Sequence, residues 1–383
     1  MPSGDPVPNP AQIRTYPHSS RRQLPYLGHA FDACGFPMRE IVCFGAVVLH
    51  VLAVRIDHHV VTSCALADNP LGDPSDRPLW VYVPPGYEDD SARSYPSVYV
   101  LQGYTGHLSM WANRSAYRLP FTEAADELFA RGSAPPCIVV FVDAWTTYGG
   151  SQFVDSPGTG RYHSYLCEDV VPFVDSHYRT YREASHRGIQ GKSSGGFGAM
   201  ITPMLRPDLF GGLATHAGDA LYELCYIPEF AKAVRALREY EGSIDRWWKD
   251  FQGRVAFTKE SDDTLLMMLG VSACFSADEN GTPILPFDPD TGRLRYDIWQ
   301  RWLDWDPVRM VSDHAGALGG LRAIWIDGGK NDEWFLEIGA QAFRSALAEI
   351  GVDDVHFELF EGTHARIEYR YPMSLAYLAE RLS

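Results

Sequence analysis

The sequence predicts an α/β protein in which a mostly parallel central sheet carries helices on both faces and is interrupted once by a helical, aromatic-rich insert. Three observations predict it. From about Asp57 onward, short β-rich runs alternate with amphipathic helical stretches, the pattern of repeated strand-helix-strand units. Within that alternation, the stretch Arg187 to Met200 sets a glycine-flanked serine between a strand-like run and a helical one. Between residues 220 and 310 the alternation stops, and five of the ten tryptophans gather there: Trp247, Trp248, Trp299, Trp302 and Trp305.

Residues 1–56 read as a leader. Pro2, Pro6, Pro8, Pro10 and Pro17, with Arg21 and Arg22, make a polar, turn-rich start with too little apolar surface to order itself. The apolar run from Ile41 to Val54 is too short to cross a bilayer. Preceded by Met38 and Arg39, it has the form of an export-signal core, although no small-x-small cleavage site follows; a buried strand or an upstream extension of the reading frame is the competing reading.

Residues 57–383 make the predicted α/β domain. Strands are expected at Leu79 to Val83, Ser97 to Leu101, Cys137 to Asp143, Gly188 to Gly191, Leu321 to Asp327 and Val355 to Leu359, where β-branched and aromatic residues cluster between turn signals. Helices are expected at Phe121 to Arg131, Tyr165 to Tyr178, Gly195 to Leu205, Phe335 to Ile350 and Pro372 to Leu382. The 220–310 insert opens with a helical stripe of Phe230, Val234 and Leu237. It either extends the core with its own aromatic cluster or caps a site at the strand ends, where loops carry specificity.

Composition narrows the function. A chain of 383 residues, 45% hydrophobic and 21% charged, buries a substantial core. Its net charge of -16 argues against nucleic acid or an anionic membrane as partner. Seven cysteines at 34, 43, 64, 137, 167, 225 and 274 include no Cys-x-x-Cys pair, which argues against a disulfide framework or zinc site and favours a reducing, cytoplasmic setting. The expected partner is a small molecule, with assembly as a homo-oligomer left open.

Gly191-Lys-Ser193-Ser-Gly195 fits the small-x-Ser-x-small pattern of a nucleophile elbow. A serine hydroxyl is a weak nucleophile, so it must stand clear on a tight strand-to-helix turn where a base can reach it, and the glycines permit that turn. Reading Ser194 as the nucleophile would put Lys192 where a glycine is wanted. Reading Gly-Lys-Ser as a phosphate-binding loop fails because position 186 is His186 rather than glycine.

In α/β-hydrolases the partners follow the nucleophile as an acid and then a histidine. Leu321 to Asp327 runs into Gly328-Gly-Lys-Asn-Asp332-Glu333, a turn at the carboxyl end of a strand, where open α/β sheets build their sites. Asp332 is the candidate acid; Asp327, as a strand cap, and Glu333, at the start of the next helix, are the alternatives. His364 is the candidate base, placed by Gly362 in the turn after the last strand, whereas His356 falls inside that strand and His314 in an earlier connection. Attack on a carbonyl also needs two fixed N–H donors. Ser194 supplies one, and Tyr104, in the turn Gln102-Gly-Tyr-Thr-Gly106 after an apolar run, the other.

Taken in order, Val81-Tyr-Val-Pro-Pro-Gly-Tyr87, Gln102-Gly-Tyr104, Gly149-Gly-Ser-Gln-Phe153, Gly191-Lys-Ser-Ser-Gly-Gly196, Gly329-Lys-Asn-Asp332 and Gly362-Thr-His364 resemble the esterase D-like branch of the α/β-hydrolases. That branch includes S-formylglutathione hydrolase, feruloyl and enterochelin esterases and the mycolyltransferases. The resemblance implies a Ser193, Asp332, His364 triad with oxyanion donors at Tyr104 and Ser194. Two features depart from the pattern: Gln102 stands where many α/β-hydrolases carry histidine, and the insert is long for the smaller esterases.

The expected reaction is hydrolysis of a small to medium carboxylic ester through an acyl-enzyme, with neither cofactor nor metal called for. An acyltransferase would use the same triad, and a binding protein on a degenerate hydrolase fold is a more distant reading. Gln102, Trp145 and Tyr148 are the candidate substrate contacts, and Tyr104, Trp145, Tyr148 and the insert tryptophans suggest an apolar or aromatic group in the substrate.

Overall fold

The computed structural model describes residues 55–383, position 117 excepted. The 1–56 leader, with its Met38 to Val54 run, lies outside the described residues but for its last two positions, which belong to the first strand.

The central sheet is built from β1 (Arg55–Thr62), β2 (Asp76–Val83), β3 (Ser97–Leu101), β4 (Ile138–Val142), β7 (Arg187–Lys192), β8 (Gly212–His216), β9 (Ala323–Gly329) and β10 (His356–Phe360); β5 (Asp155–Ser156) and β6 (Gly160–Arg161) pair apart from it. Its order is β1-β2-β4-β3-β7-β8-β9-β10, with β2 antiparallel to both its neighbours and every other pair parallel. β3 (Ser-Val-Tyr-Val-Leu) and β4 (Ile-Val-Val-Phe-Val) are buried at every residue, as strands covered on both faces must be.

Helix α1 (Phe121–Ala130) is followed by α2 (Tyr162–Ser164), a π-helical turn at Tyr165–Val170 and α3 (Val171–His177). The elbow opens α4 (Ser194–Leu205). The insert contributes α5 (Tyr222–Cys225), α6 (Ile227–Leu237), α7 (Ile244–Gln252), α8 (Asp262–Phe275), α9 (Tyr296–Leu303) and α10 (Pro307–Met310); α11 (Ala315–Gly319), α12 (Leu336–Glu349) and α13 (Arg370–Leu382) complete the chain.

Alternate side chains of each strand feed two cores. Val98, Val100, Val139 and Phe141 pack with Phe121 of α1 and Tyr371, Leu375 and Leu378 of α13. Tyr99, Leu101, Val140 and Val142 face the other way, sharing a core with Phe197 of α4, Phe343 of α12 and the insert. The insert therefore continues the core. Phe275 meets Phe197 at 5.6 Å, and Phe230 meets Trp299 and Trp302 at 5.5 and 5.7 Å. The buried indole N–H of Trp302 donates to Ser276 Oγ at 2.8 Å and that of Trp247 to Asp262 Oδ1 at 3.1 Å, as buried indoles require. Asp262 also receives Arg254 at 2.6 and 2.7 Å and the backbone N–H groups of Thr258 and Lys259, so one buried carboxylate ties α7 to the start of α8.

Six strands match the sequence reading to within a few residues, and β8 was not among them. Its Gly-Leu-Ala-Thr-His run has one bulky aliphatic and a glycine, and it is a strand because β7 and β9 flank it in parallel register.

Candidate active site

The site sits where the strand order turns back on itself. From β3 the chain crosses to β4 on one side and later to β7 on the other, so the carboxyl ends of β3 and β7 are neighbours, with Leu101 opposite Gly191. In open α/β sheets a crevice opens at this point.

Ser193 occupies the turn from β7 into α4 with φ 57° and ψ -127°, a strained conformation for a residue with a side chain. Strain of this kind costs on the order of 1–3 kcal/mol and persists only where the surroundings hold it. Here the Ser193 N–H donates to the His216 and Ala217 carbonyls, both at 3.1 Å, and its carbonyl accepts the Phe197 N–H at 2.8 Å. The flanking glycines are required by contact. A Cβ on Gly191 would lie 2.2 Å from the Gly195 carbonyl oxygen, and one on Gly195 would lie 2.6 Å from the Leu101 and Gln102 carbonyl oxygens.

β9 and β10 run side by side, with Gly329 opposite Phe360, and the turns leaving them carry the candidate acid and the candidate base. Backbone bonds from Lys330 to Phe360 and from Asn331 to Gly362, both 2.9 Å, lock the two turns together. His364 Nδ1 meets Asp332 Oδ2 at 2.8 Å, and Asp332 Oδ1 accepts the Trp334 N–H at 2.9 Å. Asp332 is 4% and His364 8% exposed, so little water competes for the pair. Binding through Nδ1 leaves Nε2 to exchange protons. Trp334 packs edge-on against the imidazole at 4.7 Å. Among the described residues no hydrogen bond joins the Ser193 hydroxyl to the ring, a contact that in resting enzymes often tightens only when substrate binds.

Ser193 and His364 line one cavity of about 1140 Å³, together with Gly103 and Tyr104. Among the described residues, the N–H groups of Tyr104 and Ser194, the candidate oxyanion donors, donate to no protein acceptor. The Tyr104 side chain is half-buried, and its hydroxyl reaches the Tyr148 carbonyl and, at 2.8 Å, the Leu266 carbonyl of α8. Burial of the hydroxyl itself pushes its pKa well above the ordinary value, so it stays protonated and ties the Tyr104 loop to the insert.

The alternatives for the acid resolve by position. Asp327 is part of β9 rather than a cap: it is fully buried and bonds His216 Nδ1 at 2.7 Å, the Trp325 indole at 2.7 Å and Arg370 at 2.8 Å. Burial alone would raise its carboxyl, but His216 and Arg370 hold it below the ordinary range. His216 Nε2 in turn meets Ser374 Oγ at 2.9 Å. This second serine-histidine-aspartate trio is sealed in the core, fully buried and apart from the cavity that Ser193 lines. Glu333 lies ahead of α12 instead of starting it, and accepts the His364 N–H at 2.9 Å.

The candidate substrate contacts are engaged with other partners in the structure. Gln102 uses its amide to brace its own loop, donating to the Gly106 carbonyl at 2.8 Å. Trp145 stacks on His107 at 5.1 Å, and Tyr148 packs against Trp248 at 5.2 Å. None of the three lines the cavity, nor does any insert tryptophan; their rings complete the core. The insert instead presents charged and small residues of α6 and α8, among them Glu229, Lys232, Arg235 and Thr264, beside apolar Leu266 and Met267. Sequence reasoning missed Lys192, Gln152, Asp219, Tyr226 and Trp334, all of which line the cavity. Lys192 and Trp334 lie within two residues of a candidate triad member, and Gln152 lies in the Gly149-Gly-Ser-Gln-Phe153 motif; Asp219 and Tyr226 carried no signal. Burial lowers the Lys192 ammonium pKa, against the opposing pull of Glu368 and Asp332.

A family described as putative esterase matches residues 74–375. Among curated proteins, YbbA of Bacillus subtilis, itself described as uncharacterized, is 26% identical over 158 residues, covering 38% of this chain and 58% of that protein. An endo-1,4-beta-xylanase/feruloyl esterase of Xylanibacter ruminicola is 24% identical over 161 residues, covering 41% of this chain and 21% of that protein. The chain thus spans well under two thirds of either relative. Among solved structures, a ferulic acid esterase superposes with a TM-score of 0.56 at 18% identity, covering 86% of this chain and 99% of the other. The S-formylglutathione hydrolase of Agrobacterium tumefaciens does so with 0.50 at 18% identity, covering 86% and 96%. These likenesses establish the α/β-hydrolase fold.

Proposed function

The chain belongs to the putative esterase family, and from that premise we propose that it hydrolyses a small to medium carboxylic ester through an acyl-enzyme on Ser193. His364 Nε2 takes the Ser193 proton as Oγ attacks the carbonyl carbon, and the Tyr104 and Ser194 N–H groups receive the charge that develops on the carbonyl oxygen. Asp332 holds the imidazole in the tautomer that frees Nε2 and stabilises the imidazolium. The proton passes to the departing alcohol. Water, deprotonated by the same nitrogen, then attacks the acyl carbon, and collapse of the second tetrahedral adduct returns Ser193 and releases the acid.

The observation that carries this reading is the 2.8 Å bond from Asp332 to His364, whose ring lines the same cavity as the strained serine turn. The cavity, about 1140 Å³, accommodates a small to medium ester, and Trp334, Leu266 and Met267 give it an apolar wall. Ser193→Ala should lower turnover of p-nitrophenyl acetate by roughly 10⁴ or more, and a fluorophosphonate should add one mass adduct at Ser193. Wild-type turnover by Ser193→Ala would overturn the proposal.

A further inference from the structure

Beside the nucleophile stands a carboxylate that the hydrolytic steps do not use. Asp219 is 8% exposed and lines the cavity, and its N–H donates to the Ser193 carbonyl at 3.4 Å. Tyr226 Oη donates to Asp219 Oδ2 at 2.9 Å, and Gln152 Nε2 reaches the same Oδ2 at 3.3 Å and Tyr226 Oη at 3.2 Å. All the donors converge on one oxygen. Among the described residues none donates to Asp219 Oδ1 and none forms an ion pair with Asp219. Gln152, 2% exposed and also lining the cavity, has its Oε1 buried without a donor.

Two free acceptors, Gln152 Oε1 and Asp219 Oδ1, the second on a carboxylate without an ion pair, thus share a wall of the cavity, and burying such a charge alone is costly. Burial raises the Asp219 carboxyl pKa by more than the Tyr226 and Gln152 hydrogen bonds and the nearby His364 lower it. The backbone around both residues is strained: Gln152, Phe153, Ala217 and Leu221 have φ of 49°, 53°, 43° and 57°. Left-handed conformations in non-glycine residues gather at ligand sites, where positioning a side chain outweighs the strain. The cavity as a whole is lined by seven carboxylates against four lysine and arginine side chains, and Lys232 and Lys259 are already held by Glu229 and Glu239. A hydroxyl would bring one proton and no charge. A primary ammonium brings three protons and the missing charge.

We propose that Asp219, Gln152 and Tyr226 form a subsite for a primary ammonium group carried by the ester, so that the preferred substrates are amino-bearing esters. This rests on the ester-hydrolase reading above. The test compares p-nitrophenyl esters whose hexanoyl chain ends in ammonium, methyl, hydroxyl or carboxylate, each rate divided by its spontaneous hydrolysis. With the full-length protein, kcat/KM for the ammonium ester should exceed that for the methyl ester by roughly tenfold or more. In Asp219→Asn that ratio should fall to near one. If the variant does not fold, the wild-type series and inhibition decide: n-butylammonium should compete with p-nitrophenyl acetate where n-butanol at equal concentration does not. Equal or better use of the methyl or hydroxyl ester would overturn the subsite. So would preference for the carboxylate ester, which would assign the wall to Lys192 and Arg235 instead. Turnover without ammonium preference removes the subsite alone. Absence of any turnover, with Ser193 unlabelled by fluorophosphonate, removes the hydrolase reading.

Discussion

Replacing Gly195 with alanine should damage turnover far more than binding. The added Cβ would lie 2.6 Å from the carbonyl oxygens of Leu101 and Gln102, against the 3.4 Å at which ordinary contact begins, so backbone must part by roughly 0.8 Å. Neither oxygen can swing aside, because both belong to the main chain where β3 ends and the oxyanion loop begins. The displacement falls on the spacing between the Tyr104 and Ser194 N–H groups. A misplacement near 1 Å costs about 10²-fold in rate, and complete loss of one oxyanion donor about 10²–10³-fold. We expect kcat to fall about 10²-fold, KM to change by no more than about threefold since ground-state contacts are kept, and stability to drop by roughly 1–3 kcal/mol from overpacking. Steady-state kinetics on a p-nitrophenyl ester, with active serines counted by fluorophosphonate titration, separates lost rate from unfolded protein. A kcat per labelled serine within threefold of wild type would refute the reasoning.

Asp332→Asn should lower kcat by about 10²–10⁴ through loss of the correct His364 tautomer, while Asp327→Asn should act chiefly on the melting temperature. If Asp332→Asn kept its turnover and Glu333→Gln lost it, the acid would be Glu333. Stability should also carry an acid signature from Asp262. Burial alone would raise its carboxyl, but Arg254, Trp247 and two backbone N–H groups hold it down to about 2. A depressed folded pKa gives stability that is present above the unfolded value, about 4, and lost as pH falls through about 2. The difference amounts to roughly 2 kcal/mol. Urea denaturation of wild type and Asp262→Asn between pH 5 and 2 should show the stability gap closing toward acid; a gap independent of pH would contradict it.

Chemistry that depends on local backbone was the most legible part of the sequence. The elbow demands small residues at Gly191 and Gly195, and Gly362 and the Gly-Lys-Asn-Asp turn mark strand ends, so Ser193, His364 and Asp332 could be singled out by context. Membership of a side chain in a wall is another matter. Trp247 and Trp302 look like ligand-binding residues by composition, yet their indoles find partners in Asp262 and Ser276 within the core. Asp219 and Gln152 carry no spacing signal, because they are brought together by strands far apart in the chain. β8 was illegible for the same reason, its strand character coming from β7 and β9.

The bond from the Tyr104 hydroxyl to the Leu266 carbonyl, together with that from Ser156 Oγ to the Ala273 carbonyl at 2.5 Å, makes α8 a common beam for the Tyr104 loop and the Ser156 turn. A region so joined is not a module. Exchanging the whole insert for that of another hydrolase would strip the oxyanion loop of its brace. New substrate ranges on this scaffold are therefore reached by single replacements on the cavity-facing sides of α6 and α8, with the beam kept in place.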